Sequence, residues 1–97
     1  MDIVYVLQGT VFEWEREKAQ ANLEKHGVSF EEAAEAFLDP FYQTGDASRD
    51  EEQRDFLIGY SSSQRLLLVV HTERGERVRI ISARPATRAE RKIYEDS

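Results

Sequence analysis

The spacing of apolar positions changes along the chain, and each change marks an element. Val4 to Val6 and Val11 to Trp14 are short β-type runs on either side of Gln8-Gly9-Thr10. Glycine accepts positive φ in a turn, so residues 3–14 predict a hairpin. From residue 15 to 26 the period lengthens: Ala19, Asn22, Leu23 and His26 lie three or four apart, on one face of a helix. Glu15 and Glu17 open this helix and Lys25 and His26 close it, in the order the helix dipole favours. Gly27 supplies a left-handed stop. Ser29 and Glu32 have capping-box spacing before the apolar stripe Ala33, Ala34, Phe37, Leu38, and Pro40 ends this second helix near Leu38 or Asp39. Residues 44–54 are polar and rich in turn formers, which predicts an exposed loop.

Three β-rich runs follow, Phe56 to Tyr60, Leu66 to His71 and Val78 to Ala83, joined by short turns at 61–64 and 73–76. That spacing predicts an antiparallel meander. The run Leu66-Leu67-Leu68-Val69-Val70 is apolar on both faces, so its strand should be central. Thr87 and Glu90 form a second capping box, opening a helix from Arg88 to about Glu95. The pattern as a whole is that of a small α+β domain spanning residues 1–97, with no internal repeat or linker.

Composition narrows this little, but charge distribution does more. Hydrophobic content of 40% with 33% charged residues fits a folded chain of 97 residues with one core. The absence of cysteine excludes disulfides and thiolate metal sites and suits a reducing cytoplasm. The apolar opening segment is short and has no basic flank, so it reads as neither a signal peptide nor a membrane span. The net charge of −6 argues against a simple nucleic-acid binder. Yet residues 71–97 carry seven Lys/Arg against five Asp/Glu, while residues 1–70 carry six against fourteen. A basic cluster on an acidic body can still hold phosphate, because screening confines charge effects to roughly 10 Å.

Within that cluster Arg77 and Arg79 share one strand face. Arg84 falls on the other if alternation persists, and Arg74 lies in the preceding turn. Arginine matches phosphate oxygens with a planar fork and stays charged throughout the accessible pH range. The competing reading is ion pairing with the acidic excess of residues 1–70. His26 and His71 are the only histidines. RNA cleavage by 2′-hydroxyl attack needs one proton removed, one supplied and charge stabilised on phosphorus, and two histidines with nearby arginines have that chemistry. Taken singly, His26 reads as a helix cap and His71 as a strand-end residue. Neither has metal-ligand spacing, so no metal or cofactor is expected. Phe12, Trp14 and Tyr94 could stack on bases, or fill the core.

Two segments carry a resemblance. Trp14, Lys18, Asn22, Lys25-His26-Gly27-Val28 and Phe30 stand in one; Val70, Arg79-Ile80-Ile81-Ser82, Arg84, Ala86, Glu90-Arg91 and Tyr94 stand in the other. Together they resemble the two signature halves of the BrnT family of bacterial ribonuclease toxins. The resemblance implies a RelE-like toxin fold, a small antiparallel sheet flanked by helices. It implies metal-independent RNA cleavage that inhibits translation, and neutralisation by a BrnA-like antitoxin. That antitoxin binds DNA, so operator DNA would be a partner only through the complex. The family's basic and histidine positions map onto Lys25, His26, Arg79 and Arg84, and the pattern of close relatives adds His71. With the arginine cluster read above, His26, His71, Arg79 and Arg84 are expected to be catalytic and Lys25, Arg74 and Arg77 to contact substrate. Three departures stand out: Glu15 where the family usually has Asp, Pro85 where it often has Arg, and residues 1–10, which extend beyond the minimal pattern. A non-catalytic module that binds an antitoxin or RNA is the alternative.

Overall fold

A computed structural model describes residues 1–97. Strands β1 (Asp2–Leu7) and β2 (Thr10–Glu15) form the expected hairpin, turning through Gln8 and Gly9 at φ 47° and 85°. Helix α1 (Arg16–His26) follows at once. Its N-cap is Glu15, whose carboxylate accepts from the amides of Glu17 and Lys18. Gly27 ends it in the left-handed conformation, φ 70°, donating its amide to the Leu23 carbonyl. Helix α2 (Phe30–Glu35) runs into a 3₁₀ turn, Ala36–Leu38. Only half of its expected capping box exists. Ser29 Oγ accepts from the Glu32 amide at 3.0 Å, but the Glu32 carboxylate turns instead to Arg65, Ser61 and Ser63.

The remaining elements are β3 (Gln43–Asp46), β4 (Asp55–Tyr60), β5 (Leu66–Arg74), β6 (Arg77–Pro85) and α3 (Arg88–Glu95). The sheet has six strands in the order β1-β2-β6-β5-β4-β3. It is mixed, not antiparallel, because β2 lies parallel to β6 with Glu13 opposite Arg79. The hairpin thus docks its second strand beside the last strand of the meander, running the same way. The segment expected to be a loop, 44–54, begins as a strand: β3 pairs antiparallel with β4. Its sequence, Gln-Thr-Gly-Asp, has no apolar alternation to announce it, since an edge strand needs little. β5 is interior, as its two apolar faces require.

Each sheet face has its own core. On one, α1, α2 and the 3₁₀ turn cover Phe12, Trp14, Leu57, Leu67, Val69, Ile80 and Ala83, all buried. Trp14 stacks edge-on to Phe30 at 5.8 Å and tilted to Tyr5 at 5.6 Å, so the aromatic pair Phe12 and Trp14 belongs to the core. On the other face Tyr94 of α3 and Ala86, just before it, pack onto Ile58, Leu66 and Leu68. Asn22 ties α1 to the sheet. Its Nδ2 donates to the carbonyls of Val28 (3.0 Å) and Ala83 (2.8 Å), and its Oδ1 accepts from the Ala83 amide (3.1 Å). Gly59 lets the 3₁₀ turn lie close on β4, since a Cβ there would sit 2.6 Å from the Ala36 carbonyl oxygen.

A bulge in β6 decides what the sheet displays. Val70 pairs with Ser82 but His71 pairs with Ile80, which leaves Ile81 without an opposite residue. Ile80 and Ala83, three apart, therefore both face the larger core. Without the extra residue, strict alternation would turn one of them outward.

Candidate functional site

The bulge also corrects the expected orientation of Arg84. Alternation resets at Ile81, so Arg84 emerges on the same face as Arg77 and Arg79, the face that carries α3. The half of this face formed by β1, β2 and the start of β6 is not covered by a helix, and Val4 and Val6 stand exposed there at 51% and 61%. In its middle lies Glu13, between the core residues Phe12 and Trp14 and itself only 7% exposed.

Three arginines converge on that carboxylate. Arg79 Nη1 donates to Glu13 Oε2 at 2.7 Å, Arg74 Nη1 reaches the same oxygen at 3.4 Å, and Arg77 Nη1 lies 3.5 Å from Oε1. Arg79 is held from a second side: its Nη1 and Nη2 donate to the two oxygens of Asp2 at 3.1 and 3.2 Å. The Arg79 hydrogen bond holds the Glu13 carboxyl below its usual range in spite of burial, and the Asp2 and Glu13 contacts raise the Arg79 guanidinium. Arg84 is gripped separately, by Glu90 of α3. The sequence offered phosphate binding or ion pairing as the role of these arginines. The structure shows the ion pairs, and leaves Arg74 and Arg77 with 62% and 50% of their side chains exposed.

The other expected site residues lie elsewhere. Lys25, exposed, and His26, half-buried, end α1 beside Gly27, whose carbonyl accepts from Arg65 at the start of β5. His71 is near the far end of β5, about 20 Å along the strand from Arg65, and points to the larger-core face, where Phe37 packs edge-on against its ring at 4.9 Å. The four arginines share one face, therefore, and neither histidine joins them. His71 is 6% exposed with an Nδ1 that has no hydrogen-bond partner. Burial pushes its imidazolium down, and the Val69 backbone first, then the charges of Asp55 and Glu73, oppose this only in part.

Sequence reasoning missed Glu13 and Asp2 as partners of Arg79. A parallel pairing between strands 66 residues apart leaves no local signal. It missed the surroundings of His71 as well, because Tyr42 and Thr44 bordered or fell in the segment read as a loop.

Comparison with known proteins now decides the family. Residues 14–90 match the model of the family described as ribonuclease toxin, BrnT, of type II toxin-antitoxin system. The chain belongs to the BrnT family. Among solved structures it resembles the ribonuclease toxin BrnT of Brucella abortus, with 26% identity, a TM-score of 0.59, and coverage of 77% of this chain and 94% of that one. A comparison with curated proteins gives no match. The BrnT match begins at Trp14, so β1 and most of β2, including Asp2 and Glu13, precede it. No helix is long and apolar enough to cross a membrane.

Proposed function

We propose that this BrnT-family chain is an active ribonuclease that cleaves RNA across the arginine face, without metal, and is held in check by an antitoxin of the BrnA kind. The observation that carries this reading is the placement of Arg74, Arg77, Arg79 and Arg84 on one face of β5–β6, brought into phase by the Ile81 bulge. In the reaction the 2′-oxygen attacks the adjacent phosphorus and loses its proton. The bond to the 5′-oxygen breaks, and that oxygen takes its electron pair and a proton. The products are a 2′,3′-cyclic phosphate end and a 5′-hydroxyl end. Arg79 and Arg84 hold the phosphate and its developing charge, an electrostatic role of the oxyanion-hole type. Arg74 and Arg77 steer the strand; Lys25, at the end of α1 on the other side of the sheet, takes no part in this reading. Since neither histidine faces Arg79, the reading rests on charge stabilisation, with protons exchanged through solvent. Translation inhibition in the cytoplasm and a likeness of the fold to RelE-type toxins belong to the same proposal, as does operator DNA reached only through the antitoxin complex.

One observation favours the binding-only alternative: each of these four arginines already has a carboxylate partner. The experiment that separates the two is incubation of the purified chain with total RNA, with and without EDTA. Cleavage of equal extent in both is expected. Intact RNA in both gives the case to the binding module, and cleavage abolished by EDTA removes the metal-independent step.

A further inference from the structure

A cavity of about 320 Å³ opens on the helix-covered side of the sheet, at the end of β5 remote from α1. Its size is at the lower end of small-molecule sites. Phe37 and Tyr42 wall it, Thr44, Asp55 and Glu73 line its polar side, and His71 lies within it. The register explains the grouping. Asp55 pairs with His71 across β4 and β5, and Glu73 follows two residues on, so all three side chains share a face. Nothing in the fold uses this polar set: His71 is buried with Nδ1 unpartnered. Tyr42 and its neighbour Phe41 keep 45% and 71% of their surface in solvent at the rim.

We propose that this cavity is a base-recognition subsite, and that the base is guanine. Aromatic walls and a histidine ring are what single-stranded RNA uses to stack an unpaired base. The polar lining is rich in acceptors. Guanine alone presents two adjacent donors, N1–H and the N2 amine, which one carboxylate takes as a pair. Adenine and cytosine set a lone-pair nitrogen beside their amine, which a carboxylate repels, and uracil flanks its single N–H with two carbonyl oxygens. The Thr44 and Tyr42 hydroxyls are the donors available to guanine O6. Position supports the assignment too. Glu73 lines the cavity, and the next residue, Arg74, leaves the strand on the opposite face, opposite Arg77 in the same hairpin. A strand of RNA rounding the β5–β6 tip places a base on one side and its phosphate on the other. This inference rests on the ribonuclease reading for its substrate and adds the base it selects.

The test is titration of the purified chain with GMP, AMP, CMP and UMP, followed by NMR at the His71 ring and at the amides of β4 and β5. GMP should bind roughly tenfold or more tighter than the others, the margin one bidentate base contact supplies. It should shift His71, and Asp55→Asn with Glu73→Gln should remove the preference. Both substituted side chains are exposed, so folding is retained. Equal binding of the four nucleotides, shifts confined to residues outside the cavity, or a preference that survives the double substitution each overturns the proposal. Because binding is read directly, the two readings fail separately. RNA cleaved with no guanine preference removes the subsite alone, and guanine selected with no cleavage removes the activity alone.

Discussion

Arg84 and Glu90 meet fork to fork, with Nη1 2.7 Å from Oε1 and Nη2 2.8 Å from Oε2. The same carboxylate accepts the Thr87 amide at 2.9 Å and so completes the capping box of α3. One side chain thereby fixes the helix end and the direction of Arg84. Glu90→Ala removes the returning half of the cap as well as the pair. It should cost about 1 kcal/mol, typical of a lost cap, read as a shift in the urea midpoint at constant slope. An unchanged midpoint would mean that α3 is held by Tyr94 alone.

Arg79 is the residue on which the electrostatic reading depends most. Arg79→Ala should slow RNA cleavage by roughly 100- to 1000-fold, as loss of one charge-stabilising donor does. The substitution leaves Glu13 with Arg74 and Arg77, so circular dichroism should show the parent fold. A folded variant that cleaves at the parent rate would make the arginine cluster purely structural.

Asp2 competes with any phosphate for Arg79. It is half-exposed, and its carboxyl is drawn below the usual range by the Arg79 hydrogen bond. Asp2→Asn should tighten RNA binding by up to about fivefold, the scale of an exposed ion pair. Fluorescence anisotropy with a short labelled RNA at fixed salt measures it. Equal or weaker binding by the variant would show that Asp2 does not mask the guanidinium.

Glu32 gives the fold an acid limit. Its carboxylate accepts from Arg65, Ser61 and Ser63, and the Arg65 contact foremost draws it down to about 2 from an ordinary 4.5. A depressed carboxyl stabilises the folded state above its unfolded pKa and loses that contribution as pH falls towards the folded one. The contribution is therefore whole above about pH 4.5, fades between 4.5 and 2, and amounts to up to about 3 kcal/mol. Glu32→Gln should flatten the dependence of unfolding free energy on pH within that window. A parent and variant with parallel profiles would refute the linkage.

What the chain disclosed in advance depended on whether the cause was local. Gly27, Thr87 with Glu90, and the doubly apolar run from Leu66 are decided by neighbours in sequence, and the elements they mark are present. The strand Gln43–Asp46 was hidden because an edge strand draws its stability from β4, not from its own side chains. The Ile81 bulge was hidden because the doubled Ile80-Ile81 also fits a strand with both faces partly apolar, and only the paired register of β5 reveals the extra residue. The candidate site followed the same division. Its arginines were legible as types in one short segment, while the acidic partners of Arg74 and Arg79 came from pairings 61 to 77 residues apart.

The parallel pairing of β2 with β6 also sets a clock. Contacts between distant residues carry the largest loop-closure entropy and form late in folding. The hairpin 2–15 and the meander 55–85 are each local, so the step that joins them, Phe12 against Val78 and Glu13 against Arg79, should come last. Pulsed amide exchange during refolding should find the amides of the hairpin and of β4–β5 protected before those that join β2 to β6. A growing chain then has no assembled arginine face until β6 has been made and docked, so the competence to act waits for the last strand of the sheet to be seated.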